Sequence, residues 1–209
     1  MINLYNIKMR AIKSVLLTVI FTALSFQTHA QKNYTLAKST FEVSGTSNIH
    51  DWVMKSTEGI GSANLTVTDS KITAINNLSI TLPAESIKSS KTSMDDVAYE
   101  TMETKTYKNI KYVLKSATKL NETTWSLTGT YTIAGTSKDY KTQVSITPNN
   151  GNFILRGSNQ ITFADFGMST PTAALGVVRA GKDLTLIFNI TLSDTDYNTI
   201  KSNKELTKV

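Results

Sequence analysis

Apolar and polar side chains alternate with a period of two along most of the chain. Trp125 and Leu127, for example, stand on one face, whereas the positions between and after them hold serine or threonine. The same alternation recurs over residues 61–67, 110–114 and 184–192. Such alternation is typical of antiparallel strands that are buried on one face only, and threonine suits the exposed face. The dominant pattern therefore predicts an antiparallel β protein.

Turn-forming residues separate the alternating segments. Asn121-Glu122 and Gly135-Thr136 each lie between two such segments. Pro148-Asn149-Asn150-Gly151 ends in Asn-Gly, which is a strong hairpin signal between alternating segments. About eight strands without crossover helices favour a closed barrel or a sandwich.

One segment breaks the period of two and predicts a short helix. Met94, Ala98 and Met102 recur at a spacing of four residues, which places them on one helical face. Ser93, followed by Asp95 and Asp96, fits a helix N-cap with acidic residues in the first turn. The paired carboxylates could also indicate acid–base chemistry, but capping is the simpler interpretation.

The two ends of the chain differ from its centre. Lys8, Arg10 and Lys13 precede an uncharged run of 13 residues, Ser14–Phe26, and Thr28-His29-Ala30 offers small residues before a cleavage site. The run is shorter than the about 20 residues that span a bilayer. We therefore predict a signal peptide over 1–30, a β-barrel domain over 31–192 and a polar tail over 193–209. The mature protein is expected in the periplasm or secreted, and a retained membrane anchor is the alternative.

Charge and composition narrow the range of partners. The chain has a formal net charge of +6, of which the predicted signal contributes three, so the mature protein carries +3. Its lysines are scattered, which argues against nucleic acid as a partner but permits transient membrane contact. There is no cysteine, hence neither a disulfide nor a thiol nucleophile. No cofactor is expected, and the oligomeric state is left open.

His50-Asp51-Trp52 is the most distinctive local motif. His50 is the only histidine after position 30, whereas metal sites normally need several converging ligands. Adjacent strand residues point to opposite faces, so His50 and Asp51 would converge only on an irregular backbone. A turn with Trp52 packed into the core, or a histidine that orients a ligand, is therefore preferred over a catalytic role. The chain also lacks a Gly-x-Ser-x-Gly nucleophile elbow.

Asp165-Phe166-Gly167 could be mistaken for the magnesium loop of a kinase. It occurs without a Gly-rich phosphate loop, a Val-Ala-Ile-Lys strand or a His-Arg-Asp loop. The kinase interpretation therefore fails, and the motif needs another explanation.

Four segments in order resemble the YceI-like family of exported, lipocalin-like barrels that carry polyisoprenoid or other amphiphilic lipids. They are Gly45–Trp52, Tyr107–Tyr112, Leu127–Lys138 and Asp165–Met168. The first resembles a Gly-Thr-Ser-x-x-His-Asp-Trp signature found in one branch of that family. The resemblance spans roughly 34–192 and implies a helix near the barrel opening.

The chain departs from the family pattern at two places. Many members carry an Asn-Arg pair shortly before the Asp-Phe-Gly segment, where this chain has Thr162 and Phe163. The departure puts in doubt any headgroup contact made by that arginine. Asn109 likewise stands where a proline is usual.

Together these patterns predict a single antiparallel, lipocalin-like barrel of about eight strands with one short helix, and no enzyme. We expect an exported carrier that holds an isoprenoid or similar amphiphilic lipid inside the barrel. A secreted hydrolase that uses His50 and Asp51, and a filled adhesion or structural module, are the alternatives. The polar mouth is predicted at His50, Asp51 and Asp165, without metal. The predicted lipid-contacting residues are Ile110, Tyr112, Leu114, Trp125, Leu127, Tyr131, Phe153, Leu155, Leu184, Leu186 and Phe188.

Overall fold

A computed structural model describes residues 31–195, and the predicted signal peptide over 1–30 lies outside them, as does the tail from 196 onward. The last strand continues to Asp194, two residues beyond the predicted end of the barrel. The strands are β1 (Gln31–Ser47), β2 (Trp52–Ser56), β3 (Ile60–Thr68), β4 (Lys71–Pro83), β5 (Asn109–Lys119), β6 (Thr124–Ile133), β7 (Thr136–Asn149), β8 (Asn152–Thr162), β9 (Thr172–Ala173) and β10 (Val178–Asp194).

The sheet closes on itself. Eight strands follow one another antiparallel in the order β1-β3-β4-β5-β6-β7-β8-β10, and β10 then pairs with β1 from Tyr34↔Asp194 to Ser47↔Ala180. The short strands β2 and β9 pair at the ends of β1 and β10. The predicted all-β, antiparallel barrel of eight strands with one short helix is confirmed.

The hairpin turns have the backbone that their sequences require. Asn150 and Gly151 both adopt positive φ, at 50° and 83°, as a two-residue turn between β7 and β8 demands. Between β5 and β6, the Asn121 side chain accepts hydrogen bonds from the backbone N–H groups of Thr123 and Thr124. These two turns therefore fix the register of the strands that they join.

The predicted helix, α1 (Thr92–Thr101), begins earlier than its sequence indicates. Lys91, not Ser93, is the N-cap residue, and it makes no side-chain capping bond. The Asp95 carboxylate instead accepts hydrogen bonds from the N–H and hydroxyl of Ser89, both at 2.7 Å. The prediction of a Ser93 cap is wrong because Ser89 and Asp95 fix the chain before the helix. Within residues 31–195, no helix is both long and apolar enough to cross a membrane.

The barrel interior is filled at one end and hollow at the other. At the packed end, the Tyr34 and Phe153 rings meet edge to face with their centroids 5.5 Å apart, and Leu65 in the same cluster is only 1% exposed. At the open end, α1 faces the barrel wall, and two small clusters replace the continuous core. The core of the packed end and the barrel centre comprises Tyr34, Ala63, Leu65, Ile72, Ile75, Leu78, Tyr112, Trp125, Leu127, Val144, Ile146, Phe153, Leu155, Ile190 and Leu192.

Candidate functional site

The open end contains an outer cavity of about 760 Å³ between α1 and the barrel. The helix contributes Met94 and Ala98 from its apolar face, and Met102, the residue that follows its last turn, also lines the cavity. The segment 171–174 and the start of β10 form a second side, and His50 lies in the rim. The barrel wall of the outer cavity is formed mainly by Val43, Trp52, Met54, Ile110, Ile133, Ile161, Phe163, Leu184 and Leu186.

An inner cavity of about 110 Å³ continues into the barrel centre. It is lined almost wholly by apolar side chains, and its lining includes Tyr112 and Thr142. The residues that line both cavities are Val43, Ile87, Ile110, Ile133 and Leu186. The two cavities therefore adjoin, and we refer to them together as the channel.

The structure divides the eleven predicted lipid-contacting residues into three groups. Ile110 and Leu186 line both cavities, and Leu184 lines the outer one. Three others, Leu114, Trp125 and Phe153, lie in or against the core of the packed end, outside the lining of either cavity. The predicted residues that line the inner cavity alone are Tyr112, Leu127, Tyr131, Leu155 and Phe188.

Sequence reasoning missed a large part of the cavity wall. The period of two over Leu78, Ile80 and Leu82 in β4 was a signal that could have identified this strand as part of the inner wall. The helix face of Met94 and Ala98 was visible as a pattern, and its position near the opening was expected from the family resemblance and not from the pattern itself. The segment 171–174 carries no periodic signal at all.

The motif around His50 forms a tight turn between β1 and β2. The Ser47 hydroxyl donates to the His50 carbonyl at 2.7 Å and accepts from the His50 N–H at 3.1 Å. The His50 ring places Nδ1 2.8 Å from the Asp51 carbonyl oxygen, and both side chains are exposed. No carboxylate therefore orients this imidazole. Within residues 31–195, no group of three or more His, Cys, Asp or Glu side chains could hold a metal ion.

Trp52 and Asn48 connect this turn to its neighbours. The half-buried Trp52 donates its indole N–H to the Thr46 carbonyl at 3.0 Å and packs over Gly45, where any Cβ atom would overlap the ring. The Asn48 amide donates to the Val177 carbonyl, and its oxygen accepts from the Arg179 N–H. The motif thus joins the rim of the outer cavity to the start of β10.

The Asp165 side chain makes hydrogen bonds that connect strands, and it lines neither cavity. Its carboxylate accepts hydrogen bonds from the Lys138 ammonium, the Tyr140 hydroxyl and the Thr162 N–H, the last two at 2.6 and 2.8 Å. These donors hold the pKa of Asp165 far below its usual range. The structure therefore does not bring Asp165 together with His50 and Asp51, and the carboxylate clamps β7 to the end of β8.

The two positions that depart from the family pattern have distinct environments here. The Thr162 hydroxyl accepts a hydrogen bond from the Asp165 N–H at 3.1 Å. Phe163 is buried and lines the outer cavity. An apolar ring thus stands in the cavity wall where many members carry a cation.

Comparisons with known proteins support the fold. The family model described as a YceI-like domain matches residues 27–192. A polyisoprenoid-binding domain from Saccharophagus degradans is similar in fold, with a TM-score of 0.58, 12% identity, and coverage of 77% of this chain and 98% of that one. For BcnA from Burkholderia cenocepacia the TM-score is 0.57, with 17% identity and coverage of 74% and 95%. The Campylobacter jejuni YceI protein gives 0.52, with 20% identity and coverage of 63% and 79%. No curated protein sequence matches significantly.

Proposed function

Because the chain belongs to the YceI-like family, we propose that it is an exported carrier that holds one isoprenoid or similar amphiphilic lipid in the channel formed by the outer and inner cavities. The observation that supports this function most directly is the outer cavity of about 760 Å³. That volume falls within the range of about 300–1,000 Å³ that is usual for small-molecule sites. The polyisoprenoid-binding domain among the structural neighbours provides further support.

The apolar lining of the channel favours the binding of an apolar ligand. Transfer of apolar surface from water contributes about 25 cal/mol per Å², so a prenyl chain could bind without any charged contact. The wall offers Ile133, Leu184 and Leu186 to such a chain, and Phe163 adds an aromatic surface. Binding then requires no chemical step, and we assign the protein no catalytic activity. The hydrolase alternative lacks support because the His50 imidazole faces a backbone carbonyl.

The rim of the outer cavity supplies a surface for brief contact with an anionic membrane. Leu175 is fully exposed and adopts a positive φ of 57°, and Val177 and Ile49 are also exposed, at 68% and 59%. Lys91 lies in the cavity lining, and Arg179 follows Val178 in the rim. Apolar side chains beside cations match an interface between acyl chains and anionic headgroups. Lipid would enter and leave through this face.

Native mass spectrometry of the purified protein tests the carrier function. A co-purified mass that is released by organic solvent, followed by one-to-one reloading with the prenyl alcohol farnesol, is the expected result. An apo mass combined with failed reloading would support the filled structural module.

N-terminal sequencing tests export, since the mature chain should begin at Gln31. A retained apolar run would indicate a membrane-tethered domain.

The rate of lipid transfer to vesicles tests the membrane contact. Leu175→Ser should slow transfer of lipid to vesicles that contain anionic phospholipid and leave the equilibrium affinity for farnesol unchanged. The matched variant Leu120→Ser alters an equally apolar but distant exposed residue and should change neither quantity. Equal transfer rates for all three proteins would contradict the contact.

A further inference from the structure

Every methionine after position 30 lines the outer cavity. Met54 lies in β2, Met94 in α1, Met102 directly after α1, and Met168 beyond the end of β8. The core of the packed end contains no methionine among the residues that the structure describes. Four separate segments of the chain therefore each bring a methionine to the same space.

Packing alone does not account for this concentration of methionines. Leucine has a similar volume, is readily exchanged for methionine in a core, and already forms part of this wall at Leu184 and Leu186. What methionine adds is a flexible thioether that oxidants convert to a polar sulfoxide. The chain has no cysteine, so these thioethers hold all the sulfur of the predicted mature protein. Export, as proposed above, places them in an oxidising compartment.

The exposure of the four side chains ranks them as targets for an oxidant. Met94, Met102 and Met168 are half-buried, whereas Met54 is only 3% exposed. The outer cavity has a volume of about 760 Å³, compared with about 30 Å³ for one water molecule in the liquid. Hydrogen peroxide is little larger than water, so it can reach the three half-buried thioethers when the cavity is empty.

A sulfoxide at these positions would place a polar oxygen in apolar surroundings. Met94 packs against a buried cluster that includes Met54 and Ile87. Met168 packs against the second cluster of the open end, which includes Phe163. A polar group that is buried without a hydrogen-bond donor is unfavourable, and an apolar lipid chain supplies none. Oxidation should therefore weaken the binding of a lipid in this cavity.

We propose that Met94, Met102 and Met168 form a modification site at which hydrogen peroxide controls lipid binding. The inference rests on the proposed carrier function. The thioether sulfur attacks one peroxide oxygen, the O–O bond breaks, an S–O bond forms, and the second oxygen leaves as water. The sulfur is oxidised by two electrons and the peroxide is reduced by two. Because the lipid occupies the same cavity, it shields the thioethers, and the empty carrier is the form that is modified.

The test treats the delipidated wild-type protein with hydrogen peroxide, in the presence and absence of saturating farnesol. Without farnesol, peptide mass spectrometry should find Met94, Met102 and Met168 oxidised first and Met54 last. Farnesol should slow the oxidation of the first three. After these three are oxidised, farnesol affinity should fall about tenfold or more, as expected for a polar group buried without a partner.

Two variants provide the controls. The triple variant Met94→Leu/Met102→Leu/Met168→Leu removes the three thioethers with little change in volume, and peroxide should leave its farnesol affinity at the value measured before treatment. The single Met→Leu variants give the same comparison in smaller steps if circular dichroism shows the triple variant to be unfolded. Leu120→Met adds a thioether at an exposed, distant position, and farnesol should not alter its rate of oxidation.

The outcomes separate the modification site from the carrier function. An unchanged farnesol affinity after all three methionines are oxidised would overturn the modification site and leave the carrier function intact. An equal loss of affinity in the peroxide-treated triple variant would assign the effect to another residue and also overturn the site. Equal rates of oxidation with and without farnesol would show that the lipid does not shield these thioethers. If the untreated wild type does not bind farnesol, the carrier function fails and this inference fails with it.

Discussion

The packed end and the open end of the barrel are built from the same alternating strands, but they are filled differently. At the packed end, large rings such as Tyr34, Trp125 and Phe153 belong to one buried core, and none of them lines either cavity. At the open end, inward residues such as Ile110, Leu184 and Leu186 border the cavities, and α1 covers the space instead of entering it. The comparison shows that alternation determines which side chains face inward, whereas the way they meet across the barrel determines whether a site exists.

The ends also differ in what joins their walls. The packed end is joined by apolar contact across the barrel, where Leu65 and Leu192 are each only 1% exposed. The walls of the open end are joined from outside the cavities by polar clamps, of which Asp165 and Asn48 are the clearest. Side chains that border an empty space make few contacts across it, so the open end relies on small apolar clusters and polar clamps beside the cavities.

Removal of a ring from the packed end should have the largest effect on stability. Phe153→Ala should lower the free energy of unfolding by about 3–5 kcal/mol, because a fully buried ring leaves a cavity that its neighbours fill only in part. Met94→Ala, on the half-buried face of α1 beside the outer cavity, should cost under about 1 kcal/mol. Urea unfolding measures both. Similar losses for the two variants would contradict the division into a packed and an open end.

Obstruction of the channel should have the largest effect on binding. Leu186 lines both cavities, so Leu186→Trp should reduce farnesol affinity tenfold or more and leave the barrel folded by circular dichroism. Asn189→Trp adds the same ring to an exposed position of the same strand and is the matched control. If the interior at Leu186 were solid, the larger side chain would cost about 1–3 kcal/mol of stability. Unchanged uptake by Leu186→Trp would show that the ligand lies elsewhere.

The fold could be predicted from the sequence because a period of two and Asn-Gly turns are local signals. The hollow end could not, because it depends on which inward residues meet across the barrel. Trp125 and Leu186 both occupy inward positions of alternating strands, yet one belongs to the packed core and the other to the channel. Asp165 was placed at the mouth on its motif alone. Its partners Lys138 and Tyr140 stand on another strand, and only the β7–β8 register brings them together.

Asp165 predicts a pH dependence that is confined to the open end. Its lowered pKa means that the clamp stabilises the native state fully above the unfolded value of about 3.9 and loses this contribution as pH falls toward the native pKa. Asp165→Asn should therefore cost about 1–2 kcal/mol at pH 7, since the side chain is partly exposed and solvent screens it. The difference between wild type and variant should shrink below pH 4.

Denaturant midpoints from pH 2 to 7 measure that difference, and amide exchange locates it. Faster exchange should appear at the start of β7 and the end of β8, whereas Leu65 and Leu192 at the packed end should keep their protection. A constant difference across the whole pH range would show that the Asp165 charge does not stabilise the clamp.

The smallest effect is expected at the most distinctive residue of the sequence. The turn at the rim depends on the Ser47 hydroxyl, which makes three hydrogen bonds with the backbone of His50 and Ile49. Ser47→Ala should therefore cost about 1 kcal/mol, whereas His50→Ala removes only an exposed ring and should change stability by less than about 0.5 kcal/mol. Farnesol affinity should fall less than twofold in His50→Ala, because the imidazole contributes little of the lining. A larger loss of stability in His50→Ala than in Ser47→Ala would assign the imidazole a structural role that its contacts do not show. A turnover that disappears in His50→Ala, with the fold intact, would restore the hydrolase alternative.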